Sequence, residues 1–216
     1  MDCAGKLPYT LERDVSERRL ESDMTRQICI AQDPAADELL SRDDFALVVG
    51  MTLDQQYPME AAFKGPHKIA ERMDGFDIHR IAESDPDEFV ALCSVTPAIH
   101  RFPGSMAKRV HDLATVIVDN YGGKPSAIWT EGDPDGKTVL KRLKALPGWG
   151  DMKARIFLAL LGKQVGVEPK GWREAAGHYG DEGSRRSVAD VVDDATLQEV
   201  REFKKQQKAA AKDKAG

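Results

Sequence analysis

Pro147-Gly148-Trp149-Gly150 stands between two apolar-periodic stretches, and this spacing of residue types is the one in the chain best suited to holding an anion. Glycine permits the positive φ of a tight turn and leaves amide N–H groups uncovered, and a helix that restarts after it points its positive dipole end outward. Such a turn can hold a phosphate. Lys153 and Arg155 add charge near that helix start, Asp151 opposes it unless it caps the helix, and Arg185-Arg186 after Gly183-Ser184 has the look of a second phosphate contact. Trp129, Trp172 and Tyr179 offer flat faces that could stack on a heteroaromatic ring, or could equally be packed walls. His100 stands alone, without metal spacing, and is read as structural.

The elements that position these groups read as helices throughout. Leu143 and Leu146 share a face of the helix entering the turn, Ala154, Phe157 and Leu158 line the helix leaving it, and Trp149 plugs the space between them. This is a helix-hairpin-helix, although an ordinary αα-corner has the same ingredients. Upstream, Asp33-Pro34 caps a helix through Leu40, and a dense apolar run from Phe45 to Leu53 predicts a buried helix. Short helices follow over 66–72, 77–83 and 86–93, then a long one over 106–121 ending at Gly122-Gly123, and one over 135–145 leading into the hairpin. Beyond Gly162 the pattern predicts a loop over 166–171, helical turns over 172–177 and 187–192, and a last helix over 196–205. The Lys/Ala-rich residues 206–216 read as a frayed tail, and residues 1–25 as a charged arm, mobile apart from a short surface helix over 11–20. No strand alternation is visible.

The chain has 216 residues, 41% of them hydrophobic, enough for one sizeable core or two smaller ones sharing a cleft. Net charge is −5, an unusual sign for a nucleic-acid binder, but it is unevenly placed. From Lys141 onward the chain carries roughly +5 and the remainder roughly −10. No run of about twenty apolar residues and no basic-then-apolar leader is present, which predicts a cytoplasmic protein that does not enter membranes. Cys3, Cys29 and Cys93 are too far apart for a disulfide framework or a metal knuckle.

Leu146-Pro147-Gly148-Trp149-Gly150 with Ala154 resembles the hairpin of the HhH-GPD superfamily of base-excision DNA repair proteins, which includes endonuclease III and the 3-methyladenine DNA glycosylases, and more particularly its small actinobacterial HhH-GPD-type proteins. The likeness covers about residues 30–175. Residues 48–62, with Asp54-Gln55-Gln56, look like the family's early helix and glutamine-bearing turn. The stretch from Phe102-Pro103-Gly104-Ser105 to Tyr121-Gly122 looks like its long middle helix. The resemblance implies an all-α, two-lobed HhH-GPD DNA-glycosylase-like fold over residues 26–205, with a lobe of 46–145 inserted between terminal segments that form the other lobe. It also implies a monomer acting on double-stranded DNA with a damaged base.

The resemblance further assigns roles. Gly148, Gly150 and Lys153 would grip DNA, while Gln55 or Gln56 would fill the gap left by a flipped base, where an amide can donate and accept toward either base edge. Four or five phosphate contacts would give log K a slope near −4 against log salt, from about −0.9 each. Glycosidic cleavage needs a carboxylate, and here the chain departs from its relatives: their aspartate, about twenty residues past the second hairpin glycine, falls on Lys170. Glu168 and Asp54 are the candidate substitutes. The lysine of bifunctional members falls on Met152, with Lys153 one residue, or about 100°, further round the helix and so expected to face a phosphate; no lyase activity is expected. Endonuclease III's four clustered cysteines have no counterpart, so no iron–sulfur cluster or other cofactor is expected; the resemblance does allow a monovalent cation under the hairpin. Two functions follow: a monofunctional DNA glycosylase, or a non-catalytic protein that binds damaged or distorted DNA, having kept the fold and lost the aspartate.

Overall fold

The computed structural model describes residues 26–213. The arm expected over 1–25, Cys3 and the last residues of the tail lie outside that range. Helices α1 (Pro34–Arg42), α2 (Asp44–Leu53), α3 (Met59–Phe63), α4 (Gly65–Met73), α5 (Ile78–Glu83), α6 (Pro86–Ser94) and α7 (Pro103–Tyr121) form one group. Helices α8 (Ala127–Thr130), α9 (Gly136–Lys144), α10 (Asp151–Leu160) and α11 (Trp172–Ala176) form a second, and α12 (Asp194–Asp213) follows. No strand occurs among the described residues.

Aspartate opens six of these helices. Asp33, Asp43, Asp77, Asp85, Asp135 and Asp193 each accept a first-turn amide with their side chain. Acid placed there satisfies orphan N–H groups and favours the helix dipole.

Helix α2 is the centre of the first group. Nine of its ten residues are buried, and Gly50 is required because a Cβ there would come within 2.6 Å of the Phe63 ring. α7 packs across α5, α6 and α2, while α10 packs on α9 and α11. α1 packs on α2 and α4, and α9 packs on α10 and α11. Leu39 and Leu40 of α1 and Val139 and Leu143 of α9 are all buried in one apolar cluster.

At the far end of the hairpin, Gly162 leaves a notch for the Trp172 ring, and Gly136 lets α9 approach the Trp172 backbone; a Cβ at Gly162 would meet the ring, and one at Gly136 the backbone, at 2.6 Å. The last helix begins at Asp194 and runs to Asp213, longer than expected, since alanine and lysine are strong helix formers and the tail continues the turn. Leu197 and Val200 bury it against the body. No helix of the described residues is long and apolar enough to cross a membrane.

Candidate nucleic-acid interface

The hairpin turn forms as its residues dictate. Trp149 N–H donates to Leu146 O at 3.1 Å, Gly148 takes φ +74°, and Gly150 opens α10 in extended geometry with no side chain to cap the leading amides. Trp149 is buried between the helices, edge-on to Phe157 at 5.1 Å, and its indole N–H donates to Thr52 Oγ1 at 3.0 Å. The plug therefore also fastens the hairpin to the end of α2.

Lys153 makes the second fastening, and it differs from expectation. Its ammonium does not face outward toward a phosphate; it donates to Met51 O and Thr52 O, both at 2.8 Å. The last carbonyls of a helix lack intrahelical partners, and a cation one turn into α10 is placed to serve them. Burial lowers the Lys153 pKa to about 8, against an upward pull from Asp54 and a further downward push from Arg109. The ordinary value is 10.5, so both folded and unfolded chains are charged below pH 8 and the burial cost is fully present there. As pH rises from 8 to 10.5 the folded chain sheds its proton first, and stability should climb. Urea midpoints across this window should rise more for wild type than for Lys153→Met; parallel curves would contradict the placement.

Asp54 ends α2 beside this lysine, its amide bonded to Gly50 O. Burial raises its carboxyl pKa, countered by Lys204 of α12 and by Lys153, while Glu60 pushes it up further. α12 reaches this corner through Arg201, paired with Glu60, and Lys204, whose ammonium approaches Met59 Sδ at 3.6 Å. The Asp54 carboxyl thus feels two ammonium groups and a second carboxylate where the hairpin meets α2.

Gln55 and Gln56 follow at an exposed tip, Gln56 in left-handed backbone geometry at φ 54°. Arg109 Nη1 donates to Gln55 Oε1 at 2.6 Å, and Arg101 Nη2 to Gln56 Oε1 at 3.0 Å. Arg109 also lies against Gly148, 3.4 Å from where a Cβ would stand, which joins the glutamine tip to the hairpin turn. Buried His100 braces the tip. Its Nδ1 accepts from Phe102 N–H at 3.0 Å, so Nε2 carries the proton and donates to Gln55 O at 3.1 Å. Burial lowers the His100 pKa, as this neutral tautomer requires. Phe102 projects beside it, 53% exposed, under the Arg101 guanidinium at 4.6 Å.

Other expected contacts lie elsewhere or are already engaged. Glu168 is exposed in the loop that meets the start of α9, where Gly136 N–H donates to the neighbouring Lys170 O, so both are one helix length, about 13 Å along the axis, from the turn. Arg155 is held by Asp151 and by Ala175 O, and Lys144 also pairs with Asp151, whose carboxyl these hydrogen bonds hold below its usual range. The charge expected to repel a phosphate is therefore compensated within the hairpin. Arg185 pairs with Glu199 and Ser184 O, and Arg186 lies over the Phe203 ring. Trp129 packs on Phe157 and Trp172 fills its notch, so both are core rather than stacking platforms, while Tyr179 packs half-buried against that core. Met152 is 65% exposed. Cys93 is buried, with its thiol pushed up to about 12, and Cys29 is free. The structure adds Thr52, Arg101, Phe102 and Arg109, which sequence reasoning did not single out. The nearest signal for three of them was the Phe102-Pro103-Gly104-Ser105 start of α7.

Comparison with known families gives one match: the model for HhH-GPD, the HhH-GPD superfamily base excision DNA repair protein, matches residues 49–214. No curated protein and no solved structure matches the chain.

Proposed function

The chain belongs to the HhH-GPD superfamily of base-excision DNA repair proteins, and from that premise we propose that it is a monofunctional DNA N-glycosylase that hydrolyses the bond to a flipped, damaged base, with Asp54 as its carboxylate. The observation that carries this reading is the place of Asp54, which ends α2 two residues beyond the Thr52 carbonyl that Lys153 holds, at the seam where the hairpin meets α2 and next to the glutamine tip. Glu168, the other candidate, has no such place.

Leaving of the base puts positive charge on the sugar, and a carboxylate held in a partly dry corner stabilises that charge and orients the attacking water. Gln55 and Gln56 enter the space the base leaves, and exposed Phe102 wedges the adjacent step, as apolar side chains do in kinked duplexes. Lys153 keeps its ammonium on two carbonyls and, with a pKa of about 8, is mainly protonated at pH 7, so it is poorly placed to attack the sugar, and Met152 has no amine to offer.

The test is base release from labelled duplexes bearing uracil, hypoxanthine, 3-methyladenine or 8-oxoguanine. Strand breaks that appear only after alkali support the reading. Salt-sensitive binding with no release on any substrate would favour the non-catalytic alternative, for which the lysine at position 170 speaks. Borohydride with abasic-site DNA is expected to trap no covalent complex at pH 7; a trapped one would overturn the assignment of Lys153.

The hairpin's part in DNA binding has its own test. A Cβ at Gly150 meets nothing within 4 Å and its backbone is extended, so packing does not require the glycine, whereas close approach of a phosphate to the helix start would. Gly150→Ala should leave the urea midpoint within about 0.5 kcal/mol of wild type and weaken duplex binding. Gly148→Ala, at φ +74°, should cost about 1 kcal/mol in stability as well. Unchanged affinity in Gly150→Ala would remove the turn from the interface.

A further inference from the structure

The apolar stripe that seats α12 ends before the helix does. Leu197 and Val200 are buried, Phe203 is half-buried under the Arg186 guanidinium, and every residue from Lys204 to Ala210 is exposed. The helix nonetheless continues to Asp213, about 15 Å past Phe203 at 1.5 Å per residue.

The side of α12 that meets the body changes character at that point. At about 100° per residue, Lys204 and Lys208 fall within about 20° of Leu197, while Arg201 and Lys205 lie about 40° and 80° to one side of it. Glu199 and Glu202 are at least about 140° away, and no acidic residue occurs from Phe203 to Lys212. A helix side that is apolar while it crosses the body thus becomes cationic where the body ends. An apolar neighbour would not match it there; an anionic one would.

Two contacts fix where this side points. Arg201 pairs with Glu60, and Lys204 Nζ approaches Met59 Sδ at 3.6 Å, on the first residues of α3, four and three residues after Gln56. The cationic side therefore leaves the body beside the glutamine tip, which Arg109 joins to the hairpin turn.

We propose that the projecting half of α12 is a second grip on the duplex, with Lys205 and Lys208 seated on backbone phosphates flanking the tip. Contacts of this kind fix orientation on the duplex without reading sequence. The grip rests on the glycosylase reading in placing the tip at the duplex, and it adds an element whose removal leaves the hairpin, the tip and Asp54 intact.

The experiment measures binding of the full chain to a duplex carrying a tetrahydrofuran abasic-site analogue across a salt series. Three proteins are compared: wild type, Lys205→Gln/Lys208→Gln, and Lys137→Gln/Lys170→Gln, which removes the same charge from exposed positions at the far end of the hairpin. Glutamine is as good a helix former as lysine, so the urea midpoint of the α12 variant should not move. That variant should bind more weakly at low salt, and its slope of log K against log salt should flatten by about 1.8, from about 0.9 for each of two lost phosphate contacts. The Lys137/Lys170 pair should keep the wild-type slope, because exposed charges beyond a Debye length of about 10 Å are screened. An unchanged slope in the α12 variant, or an equal flattening in the Lys137/Lys170 pair, would overturn the proposal while the glycosylase reading stands. Absent or salt-independent binding by wild type would overturn that reading with it.

Discussion

Asp54→Asn should lower single-turnover base release at least 100-fold while the protein stays as stable as wild type or becomes more so. The first half follows from chemistry, since an amide neither carries the charge that faces a cationic sugar nor takes a proton from water, and such groups contribute about 10²- to 10⁴-fold. The second half follows from the sign of the shift. Burial raises the folded pKa of Asp54 above its ordinary value, so the carboxyl favours folding most when protonated. Its cost grows as pH rises from 3.8 through the folded value and is greatest above it. Asparagine removes it and keeps the backbone bond to Gly50 that ends α2. Glu168→Gln, one helix length away, should leave release unchanged. A tenfold or smaller loss in Asp54→Asn, or an equal loss in Glu168→Gln, would move the carboxylate elsewhere.

How the sequence encodes this site separates into what is local and what is not. The hairpin, its caps and the buried run of α2 were legible because glycine geometry, aspartate caps and apolar spacing act within a few residues. The glutamine turn was legible through the family likeness of its neighbours. The arginines that orient it were not, because Arg101 meets Gln56 across 45 residues and Arg109 meets Gln55 across 54, and no periodicity reports such pairs. Lys153 illustrates the same limit. Its place on α10 was readable from the helical angle, but the carbonyls it serves lie 102 and 101 residues earlier, and only their orphaned state at the end of α2 turns the lysine inward. Trp172 is the reverse case: Gly162 stood in the sequence as a small residue just past α10, and the absence of its side chain is what leaves a notch for a large ring. Choosing between Asp54 and Glu168 needed the packing of α9, which sends the second to the far end of the hairpin.

Trp149→Ala should be the most damaging single change at the seam, costing about 3–5 kcal/mol, the usual range for a buried large aromatic. That is a large fraction of the 5–15 kcal/mol that holds a domain of this kind. Three interactions are lost together: the ring's burial at 5% exposure, its edge contact with Phe157 and the bond from its indole N–H to Thr52. Trp149→Phe separates them. It keeps an aromatic plug and removes the donor, and because Thr52 Oγ1 still donates to Val48 O at 2.8 Å, the hydroxyl loses one partner and retains the other. That variant should cost about 1–2 kcal/mol beyond any change in packing volume. The bond crosses from α10's turn to α2, so its loss also loosens the register of Lys153 and Asp54, which no other buried indole in the chain controls. Trp149→Phe should therefore fold, bind DNA through an intact Gly148–Gly150 turn, and release base more slowly than its stability loss alone explains. Urea denaturation and single-turnover release on the same three proteins measure both quantities, and equal stabilities for Trp149→Phe and Trp149→Ala would show that the ring fills no space the fold requires.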